Sequence, residues 1–204
     1  MNLIVFDENS KVNAATLAMI AHLPTKSLYR LVTLKFWNKL SDADFMRIAV
    51  LLAEKSYSEG GCPIGAVVVD RASNKILGKG HNTLVQENHP YNHGETSAMR
   101  DAGSIDYSLT TVFTTLTPCR VCATLMVERG VSRVVIGDSP DLENNEGFLR
   151  QAGVEVLRLD DPEGISLYAK YRAEKPDLDL TDWKGVAGMR KIIRSSTQDL
   201  SGLD

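Results

Sequence analysis

The sequence lacks the features of a membrane-spanning or secreted protein. No apolar run in its 204 residues approaches the roughly 20 that a transmembrane helix needs. Its N-terminus, MNLIVFDENSK, has no basic region followed by an apolar stretch, which is the pattern of a secretory signal. We therefore expect a cytoplasmic protein without a membrane partner.

A strong excess of charge is also absent. Lysine and arginine number 23 against 26 aspartate and glutamate residues, for a net charge of −3. Binding to a phosphate backbone needs a concentrated basic surface, so we do not expect nucleic acid as a partner of this chain. The 43% of hydrophobic residues is instead typical of a globular domain that buries a core.

Cysteine is scarce, with Cys62, Cys119 and Cys122 in the whole chain. An odd number without a secretory signal argues against a disulfide framework and for reduced metal-binding or redox thiols. Cys119 and Cys122 form a C-x-x-C, and the chain has no second such pair to complete a site of four cysteines. Cys62, before Pro63 at the start of a predicted strand, is expected to be a buried thiol and not a ligand.

Hydrophobic patterns and turn residues predict an α/β protein. Strands are predicted at 64–70, 75–81, 110–116, 132–137 and 154–159, and helices at 41–56, 93–102, 118–129, 144–152 and 162–173. The last two strands should be parallel, because the 16 residues between them suffice for a crossover. The order predicts a three-layer α/β/α sandwich with a mixed five-stranded sheet.

Three regions are predicted along the chain. Residues 1–40 form an N-terminal helical extension, whose apolar residues should pack on the main domain or on a subunit partner. The main domain spans 41–185, and 186–204 form a C-terminal tail.

The segments His93-Gly94-Glu95 and Pro-Cys-x-x-Cys carry the chemistry of the chain. Cys119 and Cys122 lie on one face of a helix start, where unpaired N–H groups favour the thiolates that bind metal. Two thiolates need a third protein ligand, and a catalytic zinc site leaves the fourth position to water. His93 is the candidate third ligand, and Glu95 would move protons beside the metal.

Two other interpretations of the cysteines remain open. The C-x-x-C could perform thiol–disulfide exchange. The metal could also be purely structural, with His81 or His89 as a fourth ligand. Neither interpretation gives Glu95 a role.

The H-x-E…P-C-x-x-C pattern is a signature of zinc nucleobase deaminases. From about residue 41 to 185 the chain resembles the cytidine deaminase superfamily, and in particular its fungal-type cytosine deaminase branch. The resemblance rests on PIG at 63–65, GHN at 80–82, HGE at 93–95, TTLTPCRVC at 114–122, VVIGD at 134–138 and GVEV at 153–156.

This resemblance implies a cytidine-deaminase-like fold, a homodimer and the hydrolytic deamination of a free nucleobase or related amino-heterocycle, with cytosine as the leading candidate. His93, Cys119 and Cys122 would bind Zn²⁺, and Glu95 would carry protons. Asn82 would bind the substrate ring, helped by the backbone of Gly94. The alternative for Asn82 is a turn residue after its strand.

Three positions depart from the branch or leave its alignment open. Leu142 replaces a phenylalanine that would stack on the base. The branch ends in a tryptophan followed three residues later by an aspartate, and an ungapped alignment puts Asp179 and Asp182 there. Alignment on Trp183 puts Val186 in the aspartate position instead. We expect Asp182 to bind the base and Trp183 to cover it; the alternative is an exposed acidic turn.

These departures leave other functions open. A purine base such as guanine is the first alternative substrate, and adenosine in RNA is the second. A zinc module without catalysis is the third, although the intact Glu95 argues against it.

Overall fold

The computed structural model describes residues 12–31, 37–38, 40–138 and 145–179. Its strands are β1 (Gly65–Asp70), β2 (Ile76–His81), β3 (Thr110–Thr114), β4 (Arg133–Ile136) and β5 (Glu155–Arg158). They form one sheet in the order β2-β1-β3-β4-β5. β1 is antiparallel to β2 and β3, whereas β3, β4 and β5 run parallel. The predicted mixed sheet with a parallel last pair is confirmed.

The helices whose two ends lie within the described residues are α1 (Ala14–His22), α2 (Thr25–Leu31), α3 (Asp42–Ser58), α4 (Leu84–Glu87), α5 (Gly94–Ala102), α6 (Arg120–Glu128), α7 (Asn145–Gln151) and α8 (Pro162–Glu174). A 3₁₀ turn spans Tyr107–Leu109. None of the helices in this described part is long and apolar enough to cross a membrane.

Alternate side chains of β1 pack into two separate cores, one on each face of the sheet. Val67 and Val69 belong to a cluster with α1 and α3 on one face. Ala66 and Val68 belong to a second cluster with α5 and α6 on the other face. The nearly continuous apolar sequence of β1 follows from this two-sided burial, which also produces the predicted three layers.

The N-terminal helices are part of the first core. Asn13 caps α1 by accepting a hydrogen bond from the backbone N–H of Thr16 at 2.9 Å. Leu17 and Ile20 of α1 pack in the same cluster as Phe45 of α3. The described part of the extension therefore packs on the main domain, while the boundary near residue 40 stays a prediction.

Local signals in the sequence located most helix ends. Ser41 and Asp44 form the predicted capping box at the start of α3, with a hydrogen bond of 2.9 Å from the backbone N–H of Ser41 to the Asp44 carboxylate. The helix predicted at 118–129 would have Pro118 in its first turn, and this placement is wrong, because α6 begins at Arg120. Cys119 is the N-cap of that helix, so Pro118 precedes the helix and directs the chain into it.

Candidate active site

Three segments meet at one end of the sheet. β1 lies between β2 and β3 and is antiparallel to both, so its start pairs with the ends of its neighbours. Gly65 pairs with His81, and Ala66 pairs with Thr114. The chain leaves β2 towards α5 and leaves β3 towards α6. The N-termini of the two helices therefore come together beside the start of β1.

Each of these helix starts supplies a candidate metal ligand. His93 is the N-cap of α5 and Cys119 is the N-cap of α6, yet neither side chain caps its helix within the described residues. Instead, Nδ1 of His93 lies 3.4 Å from Sγ of Cys119 and 3.5 Å from Sγ of Cys122. The possible ligand atoms of the three residues all lie within 4.8 Å of one another.

These distances fit a tetrahedral zinc site. Zinc bonds of about 2.0 Å to nitrogen and about 2.3 Å to sulfur place the two ligand atoms roughly 3.5 Å apart. Three protein ligands leave the fourth position for water, as in catalytic zinc sites. Cys62 does not belong to this group of ligand atoms. It is buried, as the sequence predicted, and packs with Ile64 and Leu116.

The two thiols share one proton when no metal is bound. A hydrogen bond from the Cys122 thiol is the main cause that lowers the pKa of Cys119 to about 4, against the opposing effect of burial. The same hydrogen bond, together with burial, raises the pKa of Cys122 well above its usual value. The pair carries one negative charge at neutral pH, and metal binding must displace the remaining proton.

Glu95 is buried beside this group, in the first turn of α5, with 3% of its surface exposed. Burial, followed by the negative charge of Cys119, raises the pKa of Glu95 to about 7. The Thr114 hydroxyl lies 3.3 Å from Oε1 of Glu95. A carboxyl group with a pKa near 7 can accept and release protons at neutral pH.

Glycines bring α5 unusually close to the sheet. A Cβ atom at Gly78 would lie 2.3 Å from the carbonyl oxygen of Ala98, and one at Gly80 would lie 2.6 Å from the backbone nitrogen of Ala98. Both glycines are on β2, and Ala98 is on α5. The helix that carries Glu95 can therefore sit at this distance only where β2 has no side chains.

Asn82 and Gly94 are both buried at the same end of the sheet. Oδ1 of Asn82 accepts a hydrogen bond of 3.0 Å from the backbone N–H of Leu84, so part of its side chain does serve the turn after β2. A Cβ atom at Gly94 would lie 2.9 Å from the carbonyl oxygen of Ile64. Gly94 therefore lets α5 begin directly against the start of β1.

Three buried residues that the sequence analysis missed hold these segments in place. The Ser56 hydroxyl lies 2.7 Å from the carbonyl oxygen of Cys62 and 2.6 Å from that of Asn82, which ties the entry of β1 to the exit of β2. Asn145 donates a hydrogen bond of 3.1 Å to the carbonyl oxygen of Pro118. Thr114 lies beside Glu95, and the sequence does carry a signal for its place near the site, because it ends the strand that leads into P-C-x-x-C.

The C-terminal end of the described region contains one further buried carboxylate. Asp179 accepts a hydrogen bond of 2.7 Å from the Tyr168 hydroxyl, and its other oxygen lies 3.4 Å from Nε of Arg172. Both partners are on α8, so Asp179 anchors the segment after this helix. The predicted substrate-binding residues Leu142, Asp182 and Trp183 lie outside the described residues.

Fold and ligand group together define a zinc-binding deaminase of the α/β class. Residues 39–138 match the cytidine and deoxycytidylate deaminase zinc-binding region. A cytosine deaminase of Candida albicans is 40% identical over 150 residues, which are 72% of this chain and 97% of that protein. The chain therefore belongs to the cytidine and deoxycytidylate deaminase family, and it is a zinc-dependent hydrolase that acts on C–N bonds.

Other relatives act on different substrates. A tRNA-specific adenosine deaminase of Buchnera aphidicola is 38% identical over 101 residues, which are 48% of this chain and 61% of that protein. The structure of a guanine deaminase from Nitrosomonas europaea matches with a TM-score of 0.58 and 21% identity, over 65% of this chain and 85% of that one. The similarity to the guanine deaminase structure supports the predicted fold.

Proposed function

We propose that this protein hydrolytically deaminates a free nucleobase or a related amino-heterocycle, and that cytosine is its leading substrate. The observation that carries the proposal is the buried carboxyl group of Glu95 beside His93, Cys119 and Cys122. The similarity to a cytosine deaminase over nearly the whole length of that protein supports cytosine ahead of other bases.

The metal ligands in this proposal are Nδ1 of His93 and the sulfur atoms of Cys119 and Cys122. Bound Zn²⁺ supplies a Lewis acid that brings the pKa of a water molecule towards neutrality. The chain prepares the ligands in advance, because Cys119 is already a thiolate at neutral pH and lies at a helix N-terminus.

Glu95 is proposed to carry the protons of the reaction. Hydrolysis forms a C–O bond from water and breaks the C–N bond to the exocyclic amino group, so that ammonia leaves. The Glu95 carboxylate carries the two protons of the water in turn, the first to the ring nitrogen and the second to the amino group, which then leaves as ammonia. In the metal-free protein burial raises the pKa of Glu95 towards neutrality, and the Thr114 hydroxyl lies 3.3 Å from one of its oxygens.

Asn82 and Gly94 are proposed to hold the substrate ring. Since Oδ1 of Asn82 accepts from Leu84, the amide Nδ2 is the atom that would donate to a base carbonyl. The N–H of Gly94 belongs to the first turn of α5, where backbone donors lack partners within the helix. Asp182, Trp183 and Leu142 remain predicted contacts on the far side of the base.

A purine base, guanine in particular, is the second candidate substrate. Leu142 favours it, because the chain lacks the phenylalanine ring that the cytosine-specific branch places at this position. Adenosine in RNA ranks third, supported by the tRNA-specific relatives but not by the net charge of −3. A zinc module without catalysis ranks last, because it has no use for a buried carboxyl group at Glu95.

Metal analysis combined with an ammonia-release assay tests the proposal. We expect about one zinc per chain and ammonia release from cytosine ahead of guanine, adenine, nucleosides and RNA. Glu95→Gln should retain zinc and lose turnover by about 10²- to 10⁴-fold, because general acid–base catalysis contributes on this scale. Glu128→Gln, an exposed glutamate on α6, is the control and should retain turnover.

Several results would contradict the proposal. Purified protein without zinc would remove the metal site, and zinc-loaded protein that releases no ammonia from any of the compounds would favour the non-catalytic module. Near-normal turnover in Glu95→Gln would exclude its role as the proton carrier.

Location and assembly are also parts of the proposal. A reducing compartment, which we take to be the cytoplasm, would keep Cys119 and Cys122 available as ligands. We further propose a homodimer, as the resemblance to the family implies. Exposed apolar residues near the site would form part of its interface, since Tyr91 is 62% exposed and Val121 on α6 is 54% exposed.

A further inference from the structure

A cavity distinct from the active site lies where the N-terminal helices meet the main domain. It has a volume of about 630 Å³ and is lined by the connection from α1 to α2 and by parts of α3, β2 and α5. Its described lining includes none of His93, Glu95, Cys119 and Cys122. The volume falls within the range of about 300–1,000 Å³ that is typical of small-molecule sites.

Ser97 shows how the cavity is related to the active site. Successive residues of an α-helix are about 100° apart, so Ser97 points roughly 200° away from Glu95, two residues earlier. The cavity therefore lies on the opposite face of α5. Gly80 of β2 makes room there, since a Cβ atom on it would lie 2.6 Å from Cβ of Ser97.

The cavity carries positive charge within a chain whose net charge is −3. Four cationic side chains line it against two carboxylates: Lys26, Lys55, Lys79 and Arg100 against Glu87 and Asp101. One of the carboxylates is already engaged. Asp101 accepts a hydrogen bond of 2.6 Å from the Thr25 hydroxyl and one of 3.1 Å from the backbone N–H of Lys79. Lys55 is also paired with Glu59 beside the lining, so four cations stand against three carboxylates and one positive charge remains in excess.

Lys79 is a partly buried cation in the wall of the cavity. Its Nζ donates a hydrogen bond to the carbonyl oxygen of Ala21, which is a neutral acceptor. Burial lowers the pKa of Lys79 to about 8, against the opposing effect of Asp101. An ammonium group taken out of water is stabilised by an anion placed beside it.

Two hydroxyl groups in the wall of the cavity indicate a polar ligand. The side-chain oxygens of Ser97 and Thr83 are buried and have no hydrogen-bond partner among the described residues. Ser97 is only 7% exposed. Buried polar groups are nearly always paired in folded proteins, so two such hydroxyls in one wall point to a missing polar partner.

We propose that this cavity is a binding site for a small phosphate ester that carries hydroxyl groups. Its phosphate lies beside Lys79 and Arg100, and its hydroxyl groups reach Ser97 and Glu87. The mixture of cations, carboxylates and hydroxyls favours such an ester over a bare anion. The site is independent of the proposed deamination, because it shares no residue with the candidate zinc and proton-transfer group.

Isothermal titration calorimetry on the full-length zinc-loaded protein tests this site, with ribose 5-phosphate, inorganic phosphate and ribose as probes. We expect ribose 5-phosphate to bind, inorganic phosphate to bind more weakly and ribose not to bind. Lys79→Met and Arg100→Met should each raise the Kd for ribose 5-phosphate at least about tenfold, since charge-assisted hydrogen bonds to phosphate are strong. Lys170→Met is the matched control and should leave the Kd unchanged, because this exposed lysine lies on α8 outside the cavity.

The second variant keeps the test decisive if Lys79→Met misfolds. Arg100 is exposed, so Arg100→Met should retain the fold, which circular dichroism would verify. The proposal is overturned if neither phosphate compound binds the wild-type protein, if ribose binds as well as ribose 5-phosphate, or if folded Arg100→Met binds with wild-type affinity.

Discussion

Glu95, Cys119 and Cys122 form one coupled unit in the absence of metal. Cys119 is ionised, Cys122 holds a proton, and the Glu95 carboxyl group has a pKa of about 7 because it is buried beside that negative charge. A buried carboxyl group with a raised pKa costs stability as soon as it must ionise. The proposed proton carrier is therefore expected to destabilise the metal-free fold at high pH.

This cost can be measured as a pH dependence of stability. The pKa of Glu95 is higher in the folded protein than in the unfolded chain, so its favourable contribution is complete below about pH 4.5 and is lost as the pH rises through about 7. In zinc-free protein, Glu95→Gln should exceed the wild type in free energy of unfolding by on the order of 3 kcal/mol at pH 8.5, and by much less at pH 5.

Urea unfolding of both zinc-free proteins at the two pH values provides the measurement. Glu128→Gln serves as the control, because this glutamate is exposed and its replacement should change stability by a similar small amount at both pH values. Equal gains from Glu95→Gln at pH 5 and pH 8.5 would show that the pKa of Glu95 is not raised.

At the scale of secondary structure, the close contact between α5 and β2 positions the candidate site. Gly78→Ala should push Ala98 away and cost about 1–3 kcal/mol, which is typical when an extra carbon is forced into a packed interior. Because α5 carries His93 at its N-cap, the variant should also bind zinc more weakly. Thermal unfolding and zinc competition with a chromogenic chelator would measure both effects.

Gly164→Ala is the matched control for that substitution. Gly164 lies within α8, where a Cβ atom would come no closer than 3.4 Å to its neighbours, and alanine is the better helix former. We expect unchanged or slightly higher stability and unchanged zinc affinity. Similar behaviour of the two variants would mean that the gap between α5 and β2 is not restrictive.

Much of this architecture was predictable from local sequence signals. The continuous apolar sequence of β1, the β-branched residues of β3, the capping box at Ser41 and the glycines after α5 and α6 each act within a few residues of chain. The helix α4 was missed because LVQE is too short to show a periodic pattern, and its end at Asn88 depends on a left-handed backbone conformation with φ of 49°.

The candidate site likewise contains residues that the sequence predicted and residues that it could not predict. His93, Glu95, Cys119 and Cys122 could be grouped from sequence because zinc chemistry demands that combination of residues. Ser56 and Asn145 could not, because each acts on a backbone carbonyl far away in some other segment, and a lone serine or asparagine gives no signal of its partner. The sequence shows that Gly78 and Gly80 lack side chains, but it does not show what occupies the space. The structure shows that α5 packs there.

For the whole molecule, the proposed homodimer requires a surface that joins two copies of the chain. The outward face of α6 is the best candidate, because its exposed Val121 is close to the Cys119 and Cys122 ligands. We expect sedimentation velocity to show a dimer for the wild-type protein and a substantial monomer fraction for Val121→Lys. A charge buried in an interface without a partner is strongly unfavourable.

Leu157→Lys is the control for the dimer. Leu157 is also an exposed apolar residue, at 37%, but it lies on β5, away from α6. The variant should remain dimeric. A monomeric wild-type protein would contradict the homodimer, and a fully dimeric Val121→Lys would place the interface elsewhere.

The order of the strands has a consequence for synthesis of the chain. β2, β1 and β3 are neighbours in the sheet, and the segment from β1 to the end of α6 contains the ligand residues together with Glu95 and Asn82. β4 and β5 add to the outer side of β3 afterwards. Because a chain emerges from the ribosome N-terminus first, the candidate zinc ligands all emerge before the segments that form β4 and β5. The predicted base contacts Asp182 and Trp183 are synthesised after β5. The metal site would therefore form before the part of the pocket that distinguishes one base from another.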